Sequence, residues 1–243
     1  MQLWKSWVIA TKDFSIFRRK KRIIYSLIVV PLLMSIGLPL VIQFMTRPDA
    51  PTDEIIILMN AFSYFYVILA YIIPSTLASY SILGEKIEKS LEPLLATPTT
   101  DAELLFGKTI ASFLPCICVI YVSSIIFMVL IDAFTYNAIG YLFFPNWSMV
   151  FILLLAVPLS SILSIQLNVI ISSRVNDVRT ANQLAFLLFI PFMGVYFLIV
   201  ANTISLSITT LFLISVTLFI IDAVLFYISK ATFSRDEILT KWK

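Results

Sequence analysis

The chain has 243 residues, 60% of them hydrophobic and 13% charged, with a mean hydropathy of +1.00. A soluble domain is about half apolar and a quarter charged, so this chain cannot cover its own surface with polar groups and reads as an integral membrane protein. Its net charge of +3 is too small to point to nucleic acid, and Cys116 and Cys118, two apart in an apolar run, diverge on a helix and exclude a disulfide between them.

Residues 1–22 are basic and amphipathic, without the short apolar core and small-residue cleavage site of a signal peptide. Leu3, Trp7, Ala10, Phe14 and Phe17 share one helical face, with Lys5, Lys12 and Arg19 opposite. That pattern predicts an interfacial helix lying on the membrane before the first span.

A helix needs roughly 20 apolar residues to cross hydrocarbon. Six runs qualify, at about 23–45, 55–83, 104–131, 147–172, 183–200 and 204–229. The fifth is the shortest, and Pro191 and Gly194 predict a kink or a partly re-entrant segment there. Pro31, Pro39, Pro74, Pro115 and Pro158 fall inside other runs, where neighbouring helices can satisfy the carbonyls that proline frees. Sixteen of the 17 Lys and Arg residues fall on one side of this layout, and Arg47 alone falls on the other. Both termini are therefore expected in the cytoplasm. The expected fold is all-α, a single transmembrane domain over 1–243 with a cytoplasmic tail at 230–243.

Residues 84–103 interrupt this pattern with Glu85, Lys86, Glu88, Lys89, Glu92, Asp101 and Glu103. Ile87, Leu91, Leu94 and Leu95 recur at helical spacing, one apolar face against a charged one. Pro93 interrupts that helix or starts a second turn, and Thr97 with Pro98 breaks the chain. Thr100 and Glu103 then have the spacing of a capping box, so the third long helix is expected to begin ahead of the membrane. Such a hairpin reads either as a solvated loop or as a docking surface for a soluble partner.

Inside the runs, Asp222 lies seven residues before Ser229, about 10 Å from the inner end. An acid at that depth is a candidate pathway group, or a boundary acid that reaches water. Gln166 and Asn168, two apart, face different directions and suit interhelical hydrogen bonds or pathway contacts. Ser160, Ser161 and Ser164 suggest close helix packing, across a subunit interface or within the chain. Asn146-Trp147-Ser148 has the pattern of a glycosylation acceptor, but it abuts the membrane and is read as coincidence, with Trp147 as an interfacial anchor.

The stretch Leu91 to Lys108 resembles the signature of ABC-2 type permeases, the membrane subunits of type V-fold ABC exporters. Glu85 and Lys86 match its charged start, Leu91, Glu92, Leu94 and Leu95 its centre, and Thr97 and Pro98 its turn. Gly107 and Lys108 match the Gly-Lys that opens the third span. Lys89 and Ser90 depart from the usual Gly-Thr. The N-terminal helix, the six runs and the tail around Phe233, Asp236, Glu237, Ile238 and Leu239 also resemble that family. The resemblance implies that residues 84–103 form a coupling helix seated in a separate ATPase subunit. It further implies that Glu85, Lys86, Glu88, Leu91, Glu92, Pro93, Leu94, Leu95, Thr97, Pro98, Gly107 and Lys108 serve that coupling, and that two permease copies form the pathway.

The sequence holds no G-x-x-x-x-G-K-[ST] phosphate loop, no histidine and only five glycines. It is therefore expected not to be an enzyme itself, with no cofactor or metal of its own, and with ATP and Mg²⁺ held by the partner. The alternatives are an energy-independent secondary carrier using Asp222 and a membrane-embedded lipid enzyme. A carrier would show repeat symmetry and deep coupling acids. The enzyme would need converging His, Asp or metal ligands, which the sequence lacks. A lipid-like or amphipathic cargo suits so apolar a pathway.

Overall fold

The computed structural model describes residues 3–45, 52–87, 99–175 and 177–232. All regular structure among them is helical. The helices are α1 (Leu3–Arg19), α2 (Lys21–Met45), α3 (Thr52–Ile87), α4 (Asp101–Ile139), α5 (Trp147–Phe151), α6 (Val157–Arg174), α7 (Val178–Leu187), α8 (Ile190–Val200) and α9 (Ile208–Thr232). Five stretches are long and apolar enough to cross a membrane: Ile23–Phe44, Thr52–Glu85, Ala102–Ile139, Trp147–Ser172 and Ile208–Ser229. A sixth is counted if the bent pair α7–α8 is one span.

The helix boundaries follow local chemistry. Asp53 and Glu54 place negative charge in the first turn of α3, against the positive end of its dipole. At the start of α4, the Glu103 amide donates to Thr100 Oγ1 and the Thr100 amide donates to Glu103 Oε2, the expected capping box. The helix ends at Gly140, whose φ of 83° is the left-handed turn that closes a helix C-terminus. Asn146, the acceptor of the Asn-Trp-Ser triplet, caps α5 by accepting from the Met149 amide at 2.7 Å, while Trp147 is exposed.

Prolines alter the helices at two places. Pro158 cannot donate to the carbonyl four residues back. The chain accommodates it with a π-helical turn over Ile152–Ala156, and Tyr121 donates its hydroxyl to the Leu153 carbonyl there. Between α7 and α8 the axis bends by 42°, at the break just ahead of Pro191. Gly194 sits inside α8 without ending it.

α3 is the central element. Its buried Tyr66 donates to the Ser123 carbonyl of α4, and its buried Tyr71 donates to the Ala185 carbonyl of α7. The serine-rich stripe of α6 also packs on α3 of the same chain, not across a subunit boundary. Ser160 Oγ donates to the Val67 carbonyl at 2.9 Å, and Ser164 Oγ donates to the Tyr71 carbonyl. One turn on, Ser79 Oγ donates to Asn168 Oδ1 at 2.6 Å, and Asn168 Nδ2 donates to the Ser164 carbonyl. Small hydroxyl residues let the two backbones approach while satisfying one another. α2 and α9 lie at the margin and expose Val29, Leu33, Phe212 and Phe219 along their lengths.

Candidate functional site at the charged end of the bundle

The end of α3, the start of α4 and the middle of α1 converge on a buried ionic node. Lys108 of α4, 2% exposed, lies 2.8 Å from Glu85 Oε2 and 3.6 Å from Asp13 Oδ2. It also donates to the Ser81 carbonyl at 2.7 Å and to Ser81 Oγ at 3.2 Å. Ser81 Oγ in turn donates to Asp13 Oδ2 at 2.5 Å. From the rim, Lys12 donates to Glu85 Oε1 at 2.8 Å. Two carboxylates and two ammonium groups thus share one site, with only Lys12 partly open to solvent. Each charge would be costly there alone, and the pairing offsets that cost.

Burial pushes the Asp13 carboxyl above its usual range, and Lys108 with the Ser81 hydroxyl pulls it back down. Glu85 adds to the upward push and Lys12 opposes it. A second tether lies next to the node, where Lys20 donates to the Tyr80 hydroxyl and sits 4.4 Å from the centre of that ring.

Gly107 explains how α1 comes so close. A Cβ at this position would stand 2.7 Å from the Ser6 carbonyl oxygen and 2.9 Å from Ile9 Cβ. Real Cβ atoms do not approach backbone that closely, so only glycine lets α1 pack across α4. Gly107 and Lys108 therefore act together: one removes a side chain so that α1 can seat, and the next charges the contact.

α1 seats on Ser6, Ile9, Ala10, Asp13 and Phe17. That stripe lies to one side of the face expected from Leu3, Trp7, Ala10, Phe14 and Phe17. Leu3, Trp4 and Trp7 point away from the protein, at 68%, 75% and 45% exposure. The helix thus has a protein-facing stripe, an exposed aromatic stripe and a charged one. Asp13 was not singled out in the sequence, although it lies three residues after Ala10 and four before Phe17 and so shares their face. Lys12 and Ser81 were likewise missed as partners, because nothing local marks a pair 68 or 73 residues apart.

Of the residues expected to serve coupling, Glu85, Gly107 and Lys108 meet in this node. Lys86 ends α3 as its penultimate residue. Glu88, Leu91, Glu92, Pro93, Leu94, Leu95, Thr97 and Pro98 lie outside the described residues. The candidate pathway residues divide. Asn168 is fully buried and bonded toward α3. Gln166, on the opposite face of α6, lines a cavity of about 320 Å³ with Leu105, Phe106, Thr109 and Phe226. Asp222 is buried on the face of α9 that also carries Leu211, Ser215 and Leu218 and packs on α6. Among the described residues neither its carboxylate oxygens nor Gln166 Oε1 has a hydrogen-bond partner. Among them, too, no group of His, Cys, Asp or Glu is arranged to hold a metal ion.

In the C-terminal part of α4, Asp132 accepts from the Phe143 and Phe144 amides at 3.0 and 3.1 Å and so anchors the following loop.

No curated protein matches the chain significantly. The family model described as ABC-2 family transporter protein matches residues 7–219, which take in most of α1, the whole node and the first half of α9. A match over so much of the sequence identifies the chain as a member of the ABC-2 transporter family.

Proposed function

We propose that this chain is the permease subunit of an ATP-driven exporter in the cell membrane, with both termini and the node on the cytoplasmic side. The family match over residues 7–219 carries this reading. Sixteen of 17 basic residues on one side support the orientation. Two copies form the pathway, and two separate ATPase subunits, holding ATP and Mg²⁺, dock on the hairpin between α3 and α4.

In this reading the node has a mechanical role. The hairpin's two roots are α3 at Glu85 and α4 at Lys108, and the ion pairs bind both to α1. A push from a closing ATPase dimer then moves the hairpin, α1 and the ends of two spans together. Four charges in a buried site resist shear better than an apolar contact, because a small displacement leaves a buried charge unpaired.

Copurification in mild detergent from the native membrane tests the reading. A soluble ATPase with a phosphate-binding loop is expected to come down with the tagged chain, and Glu92→Lys or Leu94→Ala to reduce its recovery. The chain should remain folded and inserted in each case. A folded chain that brings down no ATPase would point instead to an energy-independent carrier. For that second reading the favouring observation is Asp222, buried and without a hydrogen-bond partner among the described residues.

A further inference from the structure

The corner between α1 and α2 carries Arg18, Arg19, Lys20, Lys21 and Arg22 in a row, and no acid stands between Asp13 and Asp49 to balance them. The corner is tight. The Lys20 amide donates to the Phe17 carbonyl at 3.1 Å and the Ile23 amide to the Lys20 carbonyl at 2.9 Å, so α1 passes into α2 across Lys20. Lys20 itself donates to the Tyr80 hydroxyl of α3. Arg18, Arg19 and Lys21 are exposed, and among the described residues none of them has an ion-pair partner. The carboxylates of Asp13 and Glu85 are already engaged by Lys108 and Lys12.

Beside these charges lies a pocket of about 170 Å³, bordered by Arg18 and otherwise apolar. Phe14 and Phe17 of α1, Ile23 and Leu27 of α2, Leu77 of α3 and Pro115 of α4 form its walls. The first stretch apolar enough to cross a membrane begins at Ile23. The pocket therefore straddles the level where headgroups give way to hydrocarbon, with the positive charges on its headgroup side.

Charge and depth select what covers this surface. A second copy joined symmetrically here would set the basic run against itself, and like charges across an interface repel. An acidic soluble partner accounts for the charges but not for apolar walls that continue to Leu27, a full turn into the span. A zwitterionic lipid fills the walls and leaves the charges unanswered. An anionic phospholipid answers both, because basic clusters next to a span attract anionic headgroups and guanidinium groups grip phosphate in pairs of hydrogen bonds.

We infer that the α1–α2 corner binds an anionic phospholipid, its phosphate held by Arg18, Arg19 and Lys21 and an acyl chain lying along Phe17, Ile23 and Leu27. Placing it in the inner leaflet rests on the orientation proposed above; the binding itself does not. Such a lipid anchors the end of the same helix that Asp13 ties to α3 and α4.

The test uses the purified permease without any ATPase, delipidated in mild detergent, with bound lipid counted by native mass spectrometry. Dioleoyl phosphatidylglycerol is expected to bind about ten-fold or more tightly than dioleoyl phosphatidylcholine, since each basic residue near the surface adds to the attraction. Arg18→Gln combined with Arg19→Gln and Lys21→Gln should abolish that preference, and Arg18→Lys with Arg19→Lys should keep most of it. Arg179→Gln, at an exposed arginine of α7, should leave it unchanged. Leu27→Trp, which fills the pocket, should weaken phosphatidylglycerol binding. If the triple variant does not insert, Arg18→Gln carries the comparison. Equal affinity for the two lipids, or an undiminished preference in the neutralised variant, would overturn the inference. So would an equal loss in Arg179→Gln, which would reduce the effect to overall charge. Displacement of the lipid by an equal concentration of glycerol 3-phosphate, or unaltered binding by Leu27→Trp, would overturn it too, by showing a phosphate site without an acyl chain. No ATPase enters the assay, so its outcome stands apart from that of the permease reading.

Discussion

At the level of single residues, Lys108 carries the most. Its ammonium is the one group within reach of both Asp13 and Glu85 in the buried part of the node. Lys108→Met removes the buried cation that both carboxylates share, and breaking a buried pair costs about 3–5 kcal/mol. Thermal unfolding in detergent should show that loss. Maleimide labelling of Ile9→Cys in a Cys118→Ser background should show its cause, since Ile9 is 6% exposed and becomes reachable only if α1 lifts off. Unchanged protection in Lys108→Met would mean that α1 is held by apolar packing alone.

Asp13 gives a pH signature. Because burial raises its pKa in the folded protein, its contribution is fully present below the ordinary carboxylate range, at about 4, and is lost as pH rises through the raised value. Lys108, Ser81, Glu85 and Lys12 are the groups that face it. Asp13→Asn keeps an acceptor for Ser81 and removes the titration. The difference in unfolding midpoint between variant and wild type should therefore move in the variant's favour from pH 4 to pH 8. A difference that is flat across this range would show that Asp13 does not titrate there.

At the level of elements, the closest helix contact depends on a missing side chain. Gly107→Ala should cost about 1–3 kcal/mol, because α1 or α4 must shift to admit the methyl group. Gly37 and Gly194 are also helical, but a Cβ at either meets nothing within 4 Å. Alanine there should be neutral or stabilising by up to about 1 kcal/mol, from helix propensity alone. A similar contrast holds on α6. Asn168→Leu breaks the bond from Ser79 and should cost about 0.6–1.7 kcal/mol. Gln166→Leu should cost less, since its side-chain oxygen has no partner among the described residues. Equal melting of the two variants would contradict this division of the two amides.

The same elements show what was legible in the sequence. Apolar run lengths marked the long helices, and Thr100 with Glu103 marked the start of α4, because a capping box is a local pattern. The bend near Pro191 was legible for the same reason. The seat of α1 was displaced by part of a turn. Aromatic residues mark a face that avoids water, and that is not the face the protein takes when a lipid-like surface competes for it. The node was half legible. The resemblance marked Glu85, Gly107 and Lys108, but their meeting with Asp13 depends on tertiary contacts 72–95 residues away in the chain.

At the level of the whole molecule, the charges and the apolar mass are segregated. Lys12, Lys20, Glu85 and Lys108 collect at one end, and the serine and tyrosine hydrogen bonds around α3 stiffen the middle. The proposed permease role calls for that arrangement: a polar end that a soluble partner would grip, joined rigidly to spans that would carry the movement. The most direct measurement is a site-specific photocross-link in intact cells, with a benzophenone amino acid at position 92. The expected product is an adduct with a phosphate-loop ATPase, lost when the same probe is placed at position 219 on the outer face of α9. A folded chain whose position 92 cross-links only to lipid or to a second permease copy would contradict the proposal that this end receives the ATPase.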